Sequence, residues 1–157
     1  MKKTARERRK YLRYDTEAEI YFRVHYSLKT KVEFQLVKKD HKEHLSKKYF
    51  GLTKDISAEG LRFSSTKKLY RGNRIYLEMY LPGRREAVCM NGIVRWSRRL
   101  RRHRRRALEY DSGVKLVNIM GESVVRSIYF DKKYKVVWSN VLAYAFGSFS
   151  KLKQKRG

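Results

Sequence analysis

The sequence predicts an all-β fold, an antiparallel barrel or sandwich, that finishes in helix. Three observations predict it. At least six short segments show strand-like apolar patterns, turn residues separate them, and no long helical pattern is interleaved. After Gly121 the apolar spacing lengthens to that of a helix.

Residues 1–13 form a basic arm, in which Lys2, Lys3, Arg6, Arg8, Arg9, Lys10 and Arg13 face one acid, Glu7. The arm reads as a short helix or a flexible segment. Residues 14–130 hold the β domain. Within it, residues 20–26 read as a strand with aromatic filling, and residues 32–37 alternate more cleanly. A polar, charged stretch over 38–48 reads as a hairpin loop. Residues 49–53 lead a strand into a turn at Asp55, and residues 61–65 leave it. Residues 74–81 form another strand, closed by Pro82-Gly83. Residues 87–96 and 107–119 supply the last two.

Between those two strands lies a run of seven arginines in nine positions, residues 98–106: Arg98, Arg99, Arg101, Arg102, Arg104, Arg105 and Arg106. So many adjacent cations cannot be buried, so the run is expected to be a loop. Val124, Val125, Ile128 and Tyr129, then Val137, Val141, Leu142, Ala145, Phe149 and Leu152, sit at helical spacing. They predict one or two amphipathic helices, with residues 131–157 as a basic amphipathic helix or tail. Trp138, Tyr144, Phe146 and Phe149 need burial, which favours packing on the barrel or on another subunit over an interfacial membrane helix.

At 157 residues the chain fits one domain, and 41% hydrophobic with 13% aromatic residues is enough to build a core. Lys plus Arg number 40 and Asp plus Glu 15, a formal net charge of +25. A surface this lopsided repels itself and calls for an anionic partner: nucleotide, nucleic acid, phospholipid surface or acidic protein. Cys89 is the only cysteine, which excludes an internal disulfide and suits a reducing cytoplasm. It lies in an apolar run and reads as a small core residue. The start Met1-Lys2-Lys3-Thr4 lacks the apolar region of a secretory signal, and no stretch has the length of a spanning helix. His41 and His44 on a charged loop read as solvated rather than metal-binding, and His25 as structural. No nucleophile–base pair, paired carboxylates or glycine-rich phosphate loop stands out, so no catalytic residues are assigned. No helix-turn-helix, zinc ligand set or RNP-type motif is present, so any nucleic-acid binding would be salt-sensitive and weakly selective.

Two motifs carry more specific chemistry. The first is Arg9-x-x-x-Arg13, preceded by Arg8. The second is Asp55-x-Ser57-x-x-Gly60. Arginine forks match phosphate oxygens and the O6/N7 edge of guanine. A carboxylate accepts from the guanine N1 and N2 donors, serine adds a small hydroxyl, and glycine permits close backbone approach. The second motif also fits a self-bonded Asx- or Ser-type turn with Gly60 at positive φ, and such a turn would still present the side chains.

In this order, with Gly92-Ile93-Val94-Arg95-Trp96 and Asp111-Ser112-Gly113-Val114-Lys115-Leu116 downstream, the pair resembles the signature of the PilZ family, bacterial receptors for cyclic di-GMP. The resemblance runs from about Arg8 to about Phe130. It implies a six-stranded antiparallel PilZ-type β-barrel with a C-terminal helical extension. It also implies cyclic di-GMP as the ligand, held by Arg8, Arg9, Arg13, Asp55, Ser57 and Gly60, with no metal and no catalysis. An arginine at the Arg8 position accompanies a stacked pair of nucleotides in the family, so two per protomer is a secondary expectation. The arm would order on binding and change a surface read by a protein effector or an anionic membrane through the arginine loop and the C-terminal helix. A cytoplasmic location, peripheral at the inner membrane, follows. The alternatives are a basic nucleic-acid-binding barrel and a family barrel that acts as an adaptor without nucleotide. A regulatory domain cut from a larger membrane enzyme, such as a polysaccharide synthase, is a further possibility.

Overall fold

Period-two alternation becomes a barrel wall. Along β5 (Arg74–Tyr80), Ile75, Leu77 and Met79 are buried while Arg74, Tyr76, Glu78 and Tyr80 face outward. The computed structural model describes residues 24–38, 45–100 and 109–147. Arg8, Arg9 and Arg13, most of the strand expected over 20–26, His41 and His44, residues 101–106 of the arginine run with the two that follow, and residues 148–157 lie outside them.

The other strands are β1 (Tyr26–Ser27), β2 (Lys31–Leu36), β3 (Tyr49–Ile56), β4 (Gly60–Ser65), β6 (Val88–Arg99) and β7 (Tyr110–Ile119). Strand β3 pairs with β2, β2 with β5, β5 with β6, β6 with β7, β7 with β4, and β4 returns to β3. Every pairing is antiparallel, so the six strands close a barrel with no free edge in the ring. β1 runs into β2 and pairs with the far end of β3, Tyr26 opposite Ile56 and Ser27 opposite Asp55.

The inward faces meet in one core. Phe34 packs against Phe63 with centroids 4.9 Å apart and stacks on Tyr49 at 5.6 Å. Val32, Ile56, Leu77, Met90, Val94 and Leu116 fill the rest. Cys89 departs from its expected core position. Val88 and Met90 point inward, so alternation turns Cys89 to the outer face, half-buried beside Tyr76, whose phenol its hydrogen bond and burial push up.

The C-terminal part also departs from its expected pattern. After β8 (Glu122–Ser123) and a single turn, α1 (Val124–Ser127), comes a hairpin of β9 (Tyr129–Asp131) and β10 (Val136–Trp138). The helix α2 spans only Asn140–Phe146. Two devices explain the hairpin. Asp131 Oδ1 accepts from Tyr134 N at 2.9 Å, and Lys135 takes φ of 51°, a left-handed turn residue. The β-branched pair Val136-Val137 then favours strand over helix. Ser139 starts α2 by accepting from Leu142 N at 3.5 Å. Val141 and Leu142 are buried in the core, and Tyr26 of β1 meets Trp138 and Phe146 edge-on, both at 5.9 Å. The C-terminal segment thus braces β1.

Candidate ligand-binding site

The β3–β4 connection places the second motif. Ser57 N donates to Gly60 O at 2.8 Å and Ser57 Oγ donates to the same carbonyl at 3.3 Å, so the serine braces its own turn. Leu116 N donates to Glu59 O at 2.8 Å and ties the turn to β7. Gly60 is not at positive φ, contrary to the sequence reading. Its requirement is close approach: a Cβ there would lie 2.4 Å from Val114 O, on the backbone of the paired strand.

Two β-bulges aim the chemistry. In β3 the register slips between Thr53 and Asp55, and the alternation breaks. Lys54 and Asp55 are then both half-buried. Lys54 Nζ reaches the buried Asp111 carboxylate at 3.1 Å, and Asp55 faces the cavity. In β6 the register slips between Val94 and Trp96, so Arg95 and Trp96 are both exposed instead of alternating. The Trp96 indole lies against Gly113 of β7, where a Cβ would sit 2.4 Å from ring atoms. Arg98 stacks over the same ring at 5.2 Å.

These elements enclose an open cavity of about 500 Å³ whose lining includes the motif residues Asp55, Ser57 and Gly60, with His25, Glu59, Arg62, Arg95, Trp96 and Lys115. Arg62 Nη2 is 2.7 Å from Asp55 Oδ2, and His25 Nδ1 is 3.3 Å from Asp55 Oδ1. The Arg62 guanidinium and the His25 imidazole therefore flank the Asp55 carboxylate, and Glu59 is a second carboxylate in the lining. The arrangement offers a carboxylate acceptor pair, a flat aromatic platform and the positive groups Arg62, Arg95 and Lys115 in a single concavity. That chemistry suits an anionic ligand with a planar, donor-bearing base. Among the described residues no group of three or more His, Cys, Asp or Glu is placed to hold a metal. No helix among them is long and apolar enough to cross a membrane.

The structure brings Asp55, Ser57 and Gly60 together. It adds His25, Arg62, Arg95, Trp96 and Lys115, which the sequence reading did not assign to the site. Arg62 carried one signal, since alternation after Gly60 turns it outward beside Asp55. The bulge that exposes Trp96 had none. His25 was expected within a strand; it lies just before β1, pairs with Asp55 and lines the cavity.

The class defined by this fold is a closed antiparallel β-barrel domain, with the cavity on its outer wall. The PilZ domain family model matches residues 7–130, and the chain belongs to that family. PilZ domains are generally cyclic di-GMP receptors and typically non-enzymatic binding domains. The match takes in Arg8, Arg9 and Arg13 as well as the barrel. No curated protein matches the chain.

Proposed function

We propose that this chain is a cyclic di-GMP receptor that acts as a binding switch. The observation that carries the reading is the Asp55 carboxylate in a cationic cavity, opposite an aromatic platform and on a turn built by Ser57 and Gly60. Asp55 accepts from guanine N1–H and N2–H, and Trp96 stacks on a base. Arg95 and Lys115 face the phosphates. Arg8, Arg9 and Arg13 fold over the nucleotide from the arm. His25 lines the cavity, 12 residues after Arg13. Twelve extended residues span up to about 40 Å, so the arginines reach the site without moving the barrel.

Without ligand the arm's like charges repel one another; the two phosphodiesters of cyclic di-GMP neutralise them. Binding therefore orders the arm, and the ordered arm changes the surface offered to a partner. The arginine run at residues 98–106 and the basic residues after α2 favour an anionic partner.

Calorimetric titration of the full chain with cyclic di-GMP at moderate salt tests the reading. Saturable binding is expected, with a stoichiometry of two if Arg8 supports a stacked pair and one if it does not. Absence of nucleotide binding together with salt-sensitive binding of single-stranded RNA would replace the reading with the nucleic-acid alternative.

A further inference from the structure

The outer face formed by β2, β3 and β5 has no part in the nucleotide site, yet it carries an unusual pair. Phe50 and Leu52 sit two residues apart on β3, so both point away from the core, and they are 57% and 59% exposed. Across β2 their partners are Glu33 and Lys31, and across β4 the partner of Leu52 is Ser64. A serine walls nothing, so the pair stands proud on that flank.

We propose that this face docks on an anionic lipid bilayer, with Phe50 and Leu52 entering the headgroup–acyl boundary and Lys31 and Lys48 held over the phosphates. Charge layering supports the assignment. Lys31 and Lys48 side chains are 54% and 52% exposed, while their carboxylate partners Glu33 and Glu78 lie beneath them at 14% and 21%. Glu33 is further satisfied by the Tyr80 hydroxyl, 2.8 Å away. The outermost charges are thus cationic although the carboxylates are nearby. Lys31 also sits over the Phe50 and Tyr80 rings, at 5.0 and 5.4 Å, so its ammonium rides on the apolar crest instead of burying it.

A second copy of the chain is disfavoured as occupant by a net charge of +25 on each molecule. A folded acidic protein would need shape complementarity that a protruding pair without walls does not offer. A fluid, negatively charged interface accommodates protruding tips and rewards the surrounding lysines. The face shares no residue with the arginine run or the C-terminal basic stretch, and the proposal does not depend on nucleotide binding.

The test is co-sedimentation of the full chain with phosphatidylcholine vesicles, with and without phosphatidylserine. Binding is expected only with the anionic lipid. The double variant Phe50→Ser/Leu52→Ser should weaken it on the order of tenfold, and Lys31→Gln about fivefold. Both should keep the wild-type melting temperature and cyclic di-GMP affinity. As an independent readout, the indole of Phe50→Trp should be quenched by brominated acyl chains. Wild-type vesicle binding by the double variant, or an unquenched indole on bound protein, would overturn the proposal and move lipid contact to the other basic segments. Failure of the wild type to bind anionic vesicles would also overturn it. So would self-association, or capture of a polyglutamate peptide, that the double variant abolishes while vesicles stay unbound.

Discussion

Arg62 and Asp55 are cross-strand partners on β4 and β3, and Arg62 Nη2 lies 2.7 Å from Asp55 Oδ2. The other terminal nitrogen of Arg62 is 3.8 Å from Asp111 Oδ2, and Lys54 Nζ is 3.1 Å from Asp111 Oδ1. One buried carboxylate thus holds two cations, one of which holds the carboxylate that faces the cavity. Asp55 is aimed before any ligand arrives, so its orientation is not a cost of binding.

Asp111→Ala removes the acceptor that Lys54 and Arg62 share. Both cations keep partial solvent access, which reduces the loss below that of a fully buried pair. We expect about 2 kcal/mol of destabilisation, read as a lower denaturant midpoint with an unchanged slope. A midpoint equal to wild type would show that the network does not support the barrel.

Arg9→Ala and Arg13→Ala should each cost about 1–3 kcal/mol of cyclic di-GMP affinity, the scale of a bidentate arginine contact to guanine. The thermal midpoint should not move, because the arm precedes the described barrel. Wild-type affinity in calorimetry for both variants would remove the arm from the site.

Trp96→Ala should lose about 1–3 kcal/mol of nucleotide affinity, the scale of stacking one base on an aromatic ring. Stability should change little, since the ring is exposed. Gly113→Ala should reduce affinity as well, because the new methyl displaces the indole from its seat. Full affinity in both variants would mean that the ring is not a platform.

The Glu33–Tyr80 pair predicts stability that weakens at both ends of the pH scale. The hydrogen bond to Glu33 pushes the Tyr80 phenol up to about 12 from its ordinary 10.0. That contribution is complete below pH 10.0 and is lost as pH rises through about 12. The same bond holds the Glu33 carboxyl below its ordinary 4.5, so its contribution is present above pH 4.5 and is lost as pH falls through the lowered value. The difference in melting temperature between wild type and Tyr80→Phe should be flat between these limits and shrink beyond them. Parallel curves over the whole range would contradict the assignment.

Much of the barrel was legible because burial alternates with period two. Residues 61–65 and 74–81 read as strands for the same reason that Leu61, Phe63, Ile75 and Leu77 now fill the core. The Asp55–Gly60 motif was legible because a hairpin turn is local. The C-terminal hairpin was not, since Val137, Val141 and Leu142 satisfy a helical spacing although Val137 belongs to β10 and the helix starts only after Ser139.

By itself the sequence determined the strand faces, the motif turn, the cationic excess and the family, all of which depend on residues close in the chain or on composition. Tertiary structure alone decided that Arg62 steadies Asp55, that Trp96 rests on Gly113, and that His25 meets Asp55 at the cavity. Those pairings depend on cross-strand register, and two bulges shift that register by single residues. Patterns along one strand carry no record of which residue the neighbouring strand sets opposite.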